Sequence, residues 1–200
     1  MLLKEVFDKI YENPDSKDSR VFVSLYEQNK AIIENADITN DEWNRYYVVQ
    51  LMADYALSLS YVGSISKSLP YFDKVIPLVE ARQISEKKKP FDLPLYEKLI
   101  WNRATTLHNL KKYDLAAKEF EKLVINFPDN DKYRNWLRGS QAFKLNKISN
   151  VCVVIGVAGC ISNYISPKGL IWKIELYIAI AAIAAYLILQ LLIYLKKIRK

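Results

Sequence analysis

Through residues 1–150 apolar side chains recur at intervals of three and four, the spacing that lines one face of an α-helix. No stretch there alternates apolar and polar residues long enough to argue for a sheet. The pattern predicts helices at about 2–12, 19–36, 41–61, 65–81, 95–110, 114–126 and 131–147. Asn40 ahead of Asp41 and Glu42 marks a helix start, and Asn13-Pro14-Asp15 and Phe127-Pro128-Asp129-Asn130-Asp131 break the chain where helices should end. Residues 84–94, ISEKKKPFDLP, read as a loop between helix pairs.

Beyond residue 147 the periodicity gives way to apolar runs. Ile174–Leu195, IELYIAIAAIAAYLILQLLIYL, holds only Glu175 and Gln190 as strongly polar members. Its 22 residues make about 33 Å of helix, enough to cross a hydrocarbon core. Ile148–Ile165 is shorter and carries Ser149, Asn150, Ser162 and Asn163 near its ends. Its small residues Gly156, Ala158, Gly159 and Cys160 allow a close approach to Ala181, Ala182, Ala184 and Ala185, which predicts a hairpin of two spans. Ser166, Pro167, Lys168 and Gly169 form the connection. The expected organisation is an all-α chain: a soluble helical domain over 1–147, then a membrane anchor over 148–200 with transmembrane helices at about 148–165 and 174–195 and a basic tail. A single span, with 148–165 lying elsewhere, is the alternative.

Charge sharpens this picture. The net charge is +7, but residues 151–200 carry six basic groups (Lys168, Lys173, Lys196, Lys197, Arg199, Lys200) against the single acid Glu175. The first 150 residues are nearly neutral and offer no broad cationic surface, so no nucleic-acid partner is expected. Arg134, Arg138, Lys144 and Lys147 precede the first apolar run and the terminal lysines follow the second, so both ends of the hairpin are expected in the cytoplasm. The expected setting is a bacterial inner membrane, with eukaryotic internal membranes left open. Cys152 and Cys160, eight helical residues apart, cannot bridge each other within one helix.

Tyr96–Asn130, YEKLIWNRATTLHNLKKYDLAAKEFEKLVINFPDN, carries small residues at Ala104 and Ala116 where two antiparallel helices would cross. Leu107, Tyr113, Phe120 and Leu123 fill the space between them, and Pro128 closes the unit. In pattern and period this stretch resembles the tetratricopeptide repeat family. A more degenerate copy lies upstream, with Ala56, Leu59, Gly63, Ile65, Phe72 and Val75 in corresponding places; it departs from the family pattern at Ser68 and Glu80. Phe72 and Phe120 are 48 residues apart against a usual period of about 34, and the loop around Lys87, Lys88 and Lys89 absorbs the difference. A half-repeat with Tyr133, Trp136, Leu137, Ala142 and Phe143 is expected to follow, and Leu3, Phe7, Ile10, Phe22, Leu25, Tyr26 and Ile33 supply cover at the other end. The resemblance thus implies an α-solenoid of two to three helix pairs.

Catalytic chemistry finds little purchase. His108 is the sole histidine and has no cysteine or acid beside it at metal-ligand spacing. No glycine-rich phosphate loop occurs, and Asp129 and Asp131 sit at a helix start, where they complement the helix dipole. No catalytic residue, cofactor or metal is expected. The resemblance implies instead a groove for a protein or peptide partner, lined by the first helix of each pair: here Lys98, Trp101, Asn102, Thr105, His108 and Asn109. The family's carboxylate clamp for chaperone tails is incomplete, because Ala53, Leu57 and Trp136 stand where lysine, asparagine and arginine are required, although Asn102 and Lys132 match. The expected function is a non-enzymatic, membrane-anchored adaptor or assembly factor. The alternative is a small subunit of a membrane complex that associates through the hairpin, with Glu175 and Gln190 pairing to other subunits.

Overall fold

Aspartates placed just before apolar stripes decide where several helices begin. In the computed structural model, which describes residues 2–165 and 170–198, the Asp18 carboxylate accepts from the Arg20 amide at 2.7 Å and opens helix α2 (Ser19–Glu34). Asp41 accepts from the Trp43 and Asn44 amides at 2.8 and 3.1 Å and opens α3 (Glu42–Tyr61). Ahead of them stands α1 (Leu3–Tyr11), which buries Leu3, Val6 and Ile10. On α2 the buried positions Phe22, Tyr26, Asn29 and Ile33 fall at intervals of four, three and four, the stripe that its sequence predicts. The second half of α3 is buried almost all round, from Leu51 to Leu59, because α1, α2, α4 and α5 all pack on it.

Helix α4 (Ile65–Ser85) runs through Pro70 and Pro77. The two are seven residues apart and exposed, so the carbonyls they leave unpaired, those of Ser66 and Asp73, lie on one wet face where water can take them. Pro94 at the first position of α5 (Pro94–Asn109) costs nothing, since the first amides of a helix lack intrahelical partners anyway. Then comes α6 (Tyr113–Asn126), whose Ala116, Phe120 and Leu123 are fully buried together with Ala104 of α5. Consecutive helices from α1 to α6 pack on one another, and α1 meets α3 as α3 meets α5.

Three of these helices end alike. After α3, α4 and α5 a residue in the left-handed region, Gly63 (φ 81), Lys87 (φ 56) or Lys111 (φ 58), turns the chain. The next amide in each case donates back to a carbonyl five residues earlier: Ser64 to Leu59, Lys88 to Gln83 and Lys112 to Leu107, at 2.8, 2.9 and 2.9 Å. Only the first of the three uses the residue that pays no steric cost there.

The chain divides into two compact units, Met1–Asp129 and Asn130–Lys200. The second consists of α7 (Asp131–Ile165) and α8 (Leu170–Ile198). The helix expected over 131–147 and the apolar segment 148–165 are therefore one helix: no proline interrupts them, and Ser149 and Asn150 are polar without being helix breakers. Ser149 and Gly156 of α7 face α8, where Gln190 meets the first and Ala179, Ala182 and Ile183 meet the second. Gly156 marks the tightest approach, since a Cβ there would lie 3.3 Å from Ile183 Cγ1 and 3.8 Å from the Ala179 carbonyl and from Ala182 Cβ. Cys160, Ala158, Ala181 and Ala184 are exposed. The Gln190 amide donates to Ser149 Oγ at 3.1 Å and reaches Asn146 Oδ1 at 3.5 Å, so this polar group is paired within the hairpin. Both helices are long and apolar enough to cross a membrane, and few of their apolar side chains are buried. The connection Ser166–Gly169, the termini Arg199 and Lys200, and the side chains of Lys173, Glu175, Lys196 and Lys197 lie outside the described residues. Among the described residues the chain is all-helical, with eight α-helices and no strand.

Candidate partner-binding site

The six residues expected to line a groove all fall on one face of α5, as their spacing requires. The structure gives them unequal freedom. Lys98 and Asn109 are exposed, Trp101, Thr105 and His108 are half-buried, and Asn102 is buried. The Asn102 amide donates to the Lys98 carbonyl at 2.8 Å, and the Thr105 hydroxyl donates to the Asn102 carbonyl at 3.0 Å, so both engage their own helix. Trp101 lies edge-on to Phe120 with ring centroids 5.6 Å apart, His108 stands 5.2 Å from the Tyr113 ring, and the Lys98 ammonium sits 5.9 Å over Tyr61. Burial holds the His108 imidazole below its ordinary pKa, favouring the neutral ring.

A second surface was not anticipated from the residue pattern. Where the start of α3 passes the end of α4, a cleft of about 360 Å³ opens, lined by Trp43, Arg45, Tyr46, Arg82 and Glu86 among others. Trp43 is 70 % exposed and Tyr46 40 %, large values for aromatic side chains. Trp43 stacks toward Tyr47 at 6.3 Å, and Phe7 joins Tyr46 and Tyr47 at 6.0 and 4.7 Å, so the two lining aromatics, Trp43 and Tyr46, belong to a continuous cluster of rings beside the cleft. The Arg82 guanidinium lies 5.8 Å over the Tyr46 ring and pairs with Glu86 at 3.0 Å. Hydrogen bonds from Lys88 and from Arg82 hold the Glu86 carboxyl below the usual carboxylate range, so it stays charged. Arg45 donates to the Ile38 and Thr39 carbonyls at 2.9 and 3.1 Å and pins the loop that leads into the cleft.

No protein family, no curated protein and no solved structure matches this chain. The cleft's chemistry therefore has to speak through its own residues. Tryptophan, tyrosine and arginine are the side chains that dominate binding energy in protein interfaces, and here they are gathered at a concave, accessible place. The sequence carried a signal for it in Glu42-Trp43-Asn44-Arg45-Tyr46-Tyr47, an aromatic and basic cluster in the first turns of a helix. What it lacked was Arg82 and Glu86, which complete the cleft from the far end of α4.

Proposed function

We propose that this chain is a membrane-anchored adaptor: α7 and α8 form a hairpin that crosses a bilayer twice, and the helical unit Met1–Asp129 recruits a protein partner. The observation that carries the reading is the outward display of apolar side chains along both hairpin helices, from Val151 to Leu195, beside a separate unit with an ordinary buried core. Lipid accepts such a surface and water does not. The helical unit is, on this reading, a short tetratricopeptide-like array. Its support is the resemblance in Tyr96–Asn130, together with the full burial of Ala104, Leu107, Ala116, Phe120 and Leu123 in one antiparallel helix pair. Basic groups before α7's apolar part and after α8's support, by the positive-inside rule, a hairpin with both of its ends on the cytoplasmic side. Anchoring to a surface raises the encounter rate with a membrane-bound partner without adding contacts.

Partner capture tests the reading. Tagged full-length chain is purified from detergent-solubilised membranes beside the variants Trp43→Ala with Tyr46→Ala, and Lys98→Ala with Asn109→Ala. Loss of a co-eluting protein with the first variant assigns the cleft, and loss with the second assigns the α5 face. A co-eluting set unchanged by either, but lost when the chain is cut at Asp129, would transfer the function to the hairpin and make this chain a subunit held by its membrane helices.

A further inference from the structure

The last turn of α4 and the loop beyond it concentrate positive charge at the α3–α4 cleft. Residues 82–89 carry Arg82, Lys87, Lys88 and Lys89 against the single acid Glu86, and all five are exposed. On the α3 side the lining charges cancel, Glu42 against Arg45. Glu86 is held by two cations at once: Arg82 Nε donates to one carboxylate oxygen at 3.0 Å and Lys88 Nζ donates to the other at 2.8 Å. The left-handed turn at Lys87, closed by the Lys88 amide on the Gln83 carbonyl at 2.9 Å, folds the second cation back into reach. Arg82 also lies 5.8 Å over the Tyr46 ring, which links the carboxylate to the aromatic cluster, and Val49 and Leu78 line the same cleft. The Arg82 and Glu86 side chains remain 52 and 35 % exposed, and an ion pair that wet contributes little to folding. Two cations are thus arranged around a carboxylate that folding does not require.

We propose that the cleft takes an acidic segment of a protein partner, one of whose carboxylates replaces Glu86 between Arg82 and Lys88 while an apolar side chain next to it lies against Trp43 and Tyr46. The inference rests on the adaptor reading above and narrows the partner's chemistry. Charge complementarity selects this occupant. A basic segment would meet the excess of cations over residues 82–89, and a neutral one would gain nothing from them. A small free anion would use the cations but leave Trp43 and Tyr46, 70 and 40 % exposed, as open as before. A peptide carrying a carboxylate beside a large apolar side chain answers both features, the recognition mode of acidic motifs by clustered basic groups. Glu86 is then an internal stand-in for the partner's acid. Tethered to the same helix, it competes at high effective concentration and weakens capture until it is displaced. Removing its charge therefore strengthens binding, a direction that misfolding cannot produce.

The test titrates full-length chain in phosphatidylcholine nanodiscs into a fluorescein-labelled peptide, Glu-Glu-Phe-Leu-Glu-Glu, and into its counterpart with glutamine at the four acidic positions, reading anisotropy. The acidic peptide is expected to bind roughly tenfold more tightly than the neutral one, Glu86→Gln to tighten it about threefold, and Arg82→Gln and Trp43→Ala each to weaken it about tenfold. Equal binding of the two peptides, no binding even by the Glu86→Gln chain, or an affinity that Glu86→Gln leaves unchanged or lowers overturns the proposal. Binding indifferent to Trp43→Ala overturns it as well, and phosphatidylglycerol vesicles that compete the acidic peptide away would give the cleft to lipid headgroups instead. The co-elution experiment separates the two layers of inference. A captured protein lost with Trp43→Ala and Tyr46→Ala but indifferent to Glu86→Gln and Arg82→Gln rejects the acidic partner alone, whereas no captured protein at all rejects the adaptor reading.

Discussion

Tyr26 and Tyr55 stack face to face with ring centroids 3.8 Å apart, and the edge of Tyr71 closes the cluster at 4.7 Å from Tyr55. Their hydroxyls fare differently. Tyr55 donates to the Glu27 carboxylate and Tyr71 donates to Glu34 at 2.9 Å, while the buried Tyr26 hydroxyl has no partner among the described residues. A satisfied hydrogen bond contributes about 1 kcal/mol net, but a buried hydroxyl without one costs its desolvation. Tyr26→Phe is therefore expected to be neutral or to stabilise by up to about 1 kcal/mol, and Tyr55→Phe to destabilise by about 1 kcal/mol. Chemical denaturation of both variants checks the contrast; a large loss from Tyr26→Phe would mean that its hydroxyl does find a partner. His108 adds a pH dependence at the same scale. Its folded pKa lies below the unfolded value near 6.5, so the unfolded chain takes the proton first. The contribution is full well above the unfolded pKa near 6.5 and is lost as pH falls through it. As the only histidine, it makes the assignment simple: His108→Gln should flatten the dependence of the melting midpoint between pH 7.5 and 5.5.

At the scale of the element, the helix ends hold untapped stability. Lys111 closes α5 in the left-handed region, where a side chain costs about 1 kcal/mol and glycine costs nothing. Lys111→Gly should raise the unfolding free energy by about 0.5–1 kcal/mol, less what glycine gives back by loosening the unfolded chain. Greater stability by denaturant titration is the expected result, and a loss of 1 kcal/mol or more would mean that Lys111 does not hold that conformation. The same scale shows what a sequence can disclose. Helix positions were legible because capping residues and stripes such as Phe22–Tyr26–Ile33 are local, although the cap of α3 is Asp41, one residue beyond the Asn40 that the sequence marked. The junction at 147 was not, since a change from polar to apolar composition is not a break in backbone geometry, and α7 runs on through Ser149 and Asn150. The α3–α4 cleft was illegible for another reason: Tyr46 and Arg82 meet only because two long helices fold back on each other, and no local pattern encodes that register. Asn102 illustrates the converse, a residue whose type suits recognition but whose place inside a helix offers it the carbonyl one turn back.

Over the whole molecule the decisive quantity is how much apolar surface each unit leaves open. In the first unit Phe72, Phe120, Leu51, Leu99 and Ile100 are fully buried in one core. In the second, large apolar side chains stand exposed from Val151 and Val154 on α7 to Leu187, Ile188, Leu191 and Leu192 on α8. Burying one such side chain is worth about 1.5–3 kcal/mol, so leaving a dozen of them half in water forgoes on the order of 10–20 kcal/mol, as much as the entire margin by which a domain stays folded. On the anchor proposed above, the two units meet two solvents, and the exposed apolar faces of α7 and α8 meet lipid. Truncation after Asp129 is accordingly expected to give a fragment that melts cooperatively and enters the aqueous phase of a detergent phase separation, while the full chain enters the detergent-rich phase. A full chain recovered in the aqueous phase as a monomer would mean that α7 and α8 hide their apolar faces against the protein itself, and the anchor would have to be abandoned. A truncated fragment that aggregates would locate the fault elsewhere, in a helical unit whose core is completed by residues beyond 129.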